Sequence, residues 1–253
     1  MSPAPLSFRR AALALAGATT LLAGCAMGPT KEDPLEPLNR QMYAVHQVID
    51  GNFVKPVAEA YVKVVPEPIR TGVANFSGNI DDIFTGINNV LEGNGQQAGD
   101  DFGRVLLNST FGILGIFDLA SMMGIHKDHK DFGITFGKWG VPAGPYLFIP
   151  LFGPTTVRDG TGTLVRLFIG PVSYIPDVPL RNSIYGVGYV DLRAQALGAE
   201  SVLDTAALDR YRFLRNAYLK NRQYQIYDGK PPPEEDEDDA SPPAGTAAPQ
   251  PTK

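Results

Sequence analysis

Residues 33–50 read DPLEPLNRQMYAVHQVID, and this stretch sets the class of fold. Asp33 is placed to cap a helix, Pro34 falls at the first helical position, and Glu36 stands three residues after the cap, in capping-box spacing. Leu35, Leu38, Met42, Val45 and Ile49 then recur at intervals of three and four, which predicts one apolar helical face. Gly51 and Asn52 are expected to end the helix.

Downstream, Val54, Val57, Ala58, Tyr61, Val64 and Val65 repeat the helical pattern until Pro66 and Pro68 stop it. A third pattern covers Ile69 to Leu91, with Val73, Phe76, Ile80, Ile83, Phe84 and Ile87 on one side and glycines at 72, 78 and 86 interrupting it. From Asp100 to Met123 the chain turns more apolar and carries Asp118 among Phe117, Leu119 and Ala120. A charge there needs a partner or water, so Asp118 either caps the DLAS turn or faces a water-lined site. Residues 131–170 lose helical periodicity and are dense in Gly, Pro and aromatics, which predicts an apolar hairpin or re-entrant loop with its tip at Gly144-Pro145. Amphipathic helix returns from Val190 to Tyr218, studded with Arg193, Arg210, Arg212 and Arg215. The expected fold is mainly α.

Upstream, Arg9 and Arg10 precede the apolar run AALALAGATTLLAG, which ends at Cys25. A basic start, a short apolar stretch and small residues before the cut make a secretory signal over residues 1–24. It is too short to span a bilayer, and no later segment offers about 18 uninterrupted apolar residues. Leu22-Ala23-Gly24-Cys25 resembles the bacterial lipobox, which implies a lipidated Cys25 and a short tether over residues 25–33. Ala26, where an Asp would retain the protein at the inner membrane, favours the outer membrane, with the chain anchored on its periplasmic side.

The formal charge is −5, and six acids between Glu234 and Asp239 supply much of it. No basic stripe is present, which excludes nucleic acid as a partner. Residues 230–253 hold no aromatic or large aliphatic side chain and are expected to be a disordered spacer after a domain at 34–229. An acidic tail could also recruit a basic partner.

Asp33, Pro34, Glu36, Asn39 and Arg40, followed by Met42-Tyr43, closely resemble the opening signature of the MlaA (VacJ) lipoproteins. Arg104 to Thr110 with Gly112, Gly115, Phe117 and Asp118 is similar to that family's central segment. Trp139-Gly140-Val141, Gly144-Pro145-Tyr146, Pro150 and Arg158-Asp159 resemble its hairpin region. Asp191, Arg193-Ala194, Tyr211, Arg215 and Ala217-Tyr218 resemble its closing helices. The resemblance implies a ring-like helical protein lying in the membrane rather than spanning it. A central amphipathic channel would let misplaced outer-leaflet phospholipid reach a periplasmic lipid-carrier protein, with trimeric porins as membrane partners. On that basis Asp118, Arg158 and Asp159 are expected to face the lipid head group; the plainer alternative puts Arg158 and Asp159 in a surface turn. Gly140 and Gly144, beside Pro145 and Tyr146, are expected to let the hairpin gate.

Two competing readings remain. His126 and Asp131 have the spacing of a glycerolipid acyltransferase, in which the His acts as general base and the Asp orients it. The HKDHKD run they sit in looks like a solvated loop, and no phosphate-binding motif follows it. His126 and His129 lack further ligands for a zinc site, His46 is accounted for by packing, and no cofactor motif is present. A structural envelope lipoprotein is the other alternative, although it would not need the Gly-Pro-aromatic hairpin.

Overall fold

The computed structural model describes residues 33–206 and 208–232. The signal segment, Cys25, the tether up to residue 32 and the tail from residue 233 onward lie outside them. Helix α1 runs over Glu36–Ile49 and does not stop at Gly51-Asn52 as expected. Asp50–Val54 forms a π-helical turn that carries the chain directly into α2, Lys55–Val64. Such turns often mark functional positions, and this one presents Asp50. Val65, before Pro66, is held extended, as a residue preceding proline must be. Pro68 then sits in the first turn of α3, Glu67–Leu91, where its missing N–H costs nothing. The glycines of α3 do not interrupt it.

Helix α4 covers Gly95–Thr110 and α5 covers Leu119–Met122. The next stretch departs from the expected loop. It contains α6, Phe132–Lys138, then strands β1, Tyr146–Ile149, and β2, Gly153–Thr156, and then α7, Val157–Ile169. The strands pair antiparallel with Tyr146 opposite Thr156 and Ile149 opposite Gly153, so the hairpin tip is Pro150–Phe152 rather than Gly144-Pro145. Side-chain caps start both helices: Asp131 accepts from Ile134 N–H and Thr156 from Asp159 N–H. Helices α8, Val178–Ala206, and α9, Arg210–Ile226, complete the chain.

Packing follows a circuit. Helix α2 lies on α8, α8 on α3, α3 on α4 and α6, and α6 on α7 and α9; α9 meets β2, and β1 returns to α1. The ring-like, mainly helical expectation holds, and no helix among the described residues is long and apolar enough to cross a membrane. A small aromatic core of Tyr146, Phe148 and Tyr211 closes the circuit where the hairpin meets α1 and α9.

The faces of α1, α3 and α4 are largely inverted, whereas α6 buries Phe132 and Ile134. On α1 the buried residues are Glu36 and Asn39, while Leu38 and Val45 of the apolar stripe are exposed, as is Val48. On α3 the buried set includes Asn79, Asp82, Asn88 and Asn89, and on α4 it includes Asp101, Arg104 and Asn108, with Leu106 outward. Polar groups are buried without great cost only when hydrogen-bonded: Asp82 accepts from Arg104 and Asp101 from Asn89, while Asn79 Oδ1 has no partner among the described residues. Apolar surface on this scale marks contact with a partner or lipid.

Candidate functional site

Three charge clusters hold the circuit together. At the first, Asp33 accepts from Asn39 Nδ2 at 2.8 Å, from Tyr211 Oη and from Arg215 Nη1. Its side chain is thus an inter-helix tie and not the cap expected of it; Leu35 precedes α1 instead. Asn39 Nδ2 also donates to the Tyr146 carbonyl, and its Oδ1 accepts from Phe148 N–H, so one amide side chain pins β1 to α1. Arg40 bridges Glu36 and Asp209, tying α1 to the start of α9. Pro34 lies in the turn just before α1. The signature residues are therefore staples of the closing seam.

At the second cluster, fully buried Arg104 spreads its donors over Asp82, Asp118, Ser121 and the Ile125 carbonyl. Asp118 caps α5 through Ser121 N–H and also accepts from Asn108. Burial pushes its carboxyl up, but these hydrogen bonds outweigh that and hold it at about 2. Of the two roles open for Asp118, it takes that of the cap of the DLAS turn. At the third, Arg158 donates to Asp159, which also accepts from Tyr218 Oη at 2.6 Å and Arg222 Nε at 3.1 Å. Arg222 in turn holds Asp131 bidentately at 2.6 and 2.8 Å. Burial favours the neutral acid at both Asp131 and Asp159, yet the shared Arg222 guanidinium outweighs it and keeps both low. Arg158 and Asp159 are buried on the first turn of α7, not in a surface turn.

Two cavities flank α8. One, of about 880 Å³, lies against Ile184 and Val187 of α8, Val73 and Phe76 of α3, and Phe117, and is almost wholly apolar. The other, of about 810 Å³, lies on the opposite face of α8 and is amphipathic. Lys55, Glu200, Arg193 and Asp50 form its charged wall. Leu192, Ala196, Leu214 and the hairpin-tip residues Leu151 and Phe152 form its apolar part. Arg193 takes Asp50 at 2.8 and 2.7 Å and Glu200 at 3.1 Å, and Lys55 meets the same Glu200 oxygen at 3.2 Å. The Arg193 hydrogen bonds keep the Asp50 carboxyl low. The hairpin tip is held at the cavity: His46 Nδ1 accepts from Leu151 N–H, and Tyr189 Oη donates to the Leu151 carbonyl. Burial lowers the His46 pKa, which suits an acceptor nitrogen.

Asp118, Arg158 and Asp159, expected to line a passage, line neither cavity and sit in the frame. Tyr146, expected beside a gate, is fully buried in the aromatic core. Gly140 and Gly144 both have positive φ, at 84° and 69°. The cavity charges went unrecognised because Asp50 and Arg193 meet across 143 positions and no local pattern links them. His126 and Asp131 are not joined: the Asp131 oxygens go to Arg222 and Ile134. No cluster of three or more His, Cys, Asp or Glu among the described residues could hold a metal.

Polar groups turned inward, apolar side chains turned outward and an amphipathic cavity in the wall define a helical ring built to lie among apolar groups. The family model for the MlaA lipoprotein matches residues 31–225, and the chain belongs to that family. It is 34% identical over 233 residues to the intermembrane phospholipid transport system lipoprotein MlaA of Escherichia coli (strain K12), covering 89% of this chain and 91% of that one. The protein of the same name in Haemophilus influenzae is 35% identical over 219 residues, covering 83% and 87% respectively. A solved structure concerned with the maintenance of bacterial outer membrane lipid asymmetry superposes with a TM-score of 0.69 at 30% identity, covering 78% of this chain and all of that one. These relatives are named as transport-system lipoproteins, not enzymes.

Proposed function

We propose that this lipoprotein removes mislocalised phospholipid from the outer leaflet of the outer membrane through the amphipathic cavity and passes it to a periplasmic carrier protein. A lipidated Cys25 would hold it at the periplasmic side, and trimeric porins would be its partners in the membrane. The observation that carries this reading is the inverted distribution of side chains. A charged interior inside an apolar exterior suits a protein whose surroundings are acyl chains and whose cargo has a charged head. The names of the relatives point the same way.

In this reading Asp118, Arg158 and Asp159 hold the ring rigid, and the cavity charges meet the head group. Gly140 and Gly144 precede β1 in left-handed conformations that residues with a Cβ adopt only under strain, so they serve as the hinge of the hairpin. The test is surface-exposed phospholipid in cells lacking the protein, complemented with wild type or with His126→Ala. Accumulation reversed equally by both supports transport without an enzymatic histidine. Accumulation that His126→Ala leaves in place revives the acyltransferase reading, and no accumulation at all rejects lipid clearance.

A further inference from the structure

The charged wall of the amphipathic cavity alternates in sign: Lys55, Glu200, Arg193, Asp50. Its two carboxylates are not equivalent. Asp50 is held side-on through Arg193 Nε and Nη2 at 2.8 and 2.7 Å, the strong fork geometry. Glu200 is held through one oxygen, Oε2, which sits between Lys55 Nζ at 3.2 Å and Arg193 Nη2 at 3.1 Å. It is also the more exposed carboxylate, with 27% of its side chain accessible against 10% for Asp50. Arg193 Nη1 has no partner among the described residues. One oxygen bridging two cations, with longer contacts and more water around it, is the exchangeable member of the chain.

Resting on the transport reading above, we propose that Glu200 holds, between Lys55 and Arg193, the place that a phospholipid phosphodiester takes. An anion there would accept from Lys55 Nζ and from the Arg193 Nη groups while Asp50 keeps the guanidinium in position. The acyl chains have their own surface in the same cavity, on Leu192, Ala196 and Leu151. Recognition is then of the phosphate, common to all phospholipids, and not of the alcohol esterified to it.

The test uses the full-length lipoprotein in detergent and the affinities of dihexanoyl phosphatidylethanolamine, dihexanoyl phosphatidylglycerol, dihexanoylglycerol and glycerophosphate. Wild type should bind the two phospholipids within a few-fold of each other, and the two compounds lacking either phosphate or chains at least about tenfold more weakly, the scale of one charge-assisted hydrogen bond. Glu200→Gln removes the competing anion and should tighten both phospholipids by about tenfold, while Lys55→Gln should loosen them by a similar factor. Both side chains are partly exposed, so neither change should shift the unfolding midpoint appreciably.

Unchanged or weaker phospholipid binding by Glu200→Gln overturns the proposal. Glycerophosphate bound as tightly as phospholipid would make this a free phosphate-ester site, which also overturns it. If wild type clears surface phospholipid in cells and yet these variants bind like wild type, this site fails and the transport reading stands. If cells lacking the protein show no surface phospholipid, the transport reading fails whatever the affinities.

Discussion

The Asp131–Arg222–Asp159 cluster and the Lys55–Glu200–Arg193–Asp50 chain use the same groups to different ends. In the first, one arginine is closed between two carboxylates at the junction of α6, α7 and α9, and Tyr218 and Arg158 saturate what is left. Taking such charges out of water is repaid only when every donor and acceptor is matched. In the second, the groups stand in the wall of a cavity, and Lys55 and Glu200 keep more than a quarter of their side chains accessible. A sealed cluster fixes positions, whereas an open one can exchange a partner. Charge alone did not distinguish them in the sequence.

Breaking the sealed cluster should have the largest effect. Arg222→Ala leaves Asp131 and Asp159 buried without their shared cation and should cost about 3–5 kcal/mol, seen as a lowered thermal midpoint and reduced protein in the membrane. A midpoint within a degree of wild type would mean the cluster is not the frame. Asp101 sharpens the comparison from another side, being a buried carboxylate facing Asn89 with Asp128 and Asp82 nearby. Burial first, and those acids after it, push its pKa to about 6. A raised carboxylate contributes stability that is full below its unfolded pKa near 4 and is lost as pH rises through 6. Asp118, held at about 2, works the opposite way and loses its contribution as pH falls toward 2. Asp101→Asn should therefore flatten the stability profile between pH 4 and 6, by at most about 3 kcal/mol for a two-unit shift. A profile identical to wild type over that range would contradict it.

The sealing of the first cluster also depends on close approach. A Cβ at Gly162 of α7 would lie 2.5 Å from the Gly133 backbone nitrogen of α6. Gly162→Ala should force the two helices apart and cost about 1–3 kcal/mol, read by thermal unfolding. Tolerance of alanine at 162 would show that α6 and α7 can shift without opening the cluster.

Helix existence was legible in the sequence because intervals of three and four do not depend on what lies outside the molecule. Which face is buried was not, because the stripe Leu38, Val45 reads the same whether its surroundings are a core or lipid. The Gly/Pro-rich region misled for a related reason. Gly133 and Gly162, which lower helix propensity, are the contact points that let α6 and α7 cross. Thr156 and Asp159 have the T-x-x-D spacing of a helix start, and the glycines around them mask it. The three residues named for head-group contact carry the family resemblance, but resemblance gives positions and not which side of a wall they face. The pairing of Asp50 with Arg193 needed the fold.

The smallest expected change in stability tests the open side of the comparison. Phe152 lies at the hairpin tip, lines the amphipathic cavity and is three-quarters exposed, so it contributes little to the core. Phe152→Ser should change stability by less than about 0.5 kcal/mol, as surface substitutions do. The neighbouring Leu151 stays tied through its backbone to His46 and Tyr189, so the hairpin should keep its place. An acyl chain leaving the charged wall would nevertheless meet a hydroxyl where it had met an aromatic ring. Clearance of surface phospholipid should then slow while the unfolding midpoint holds. Loss of both together would place Phe152 in the frame, and loss of neither would take the hairpin tip out of the lipid's path.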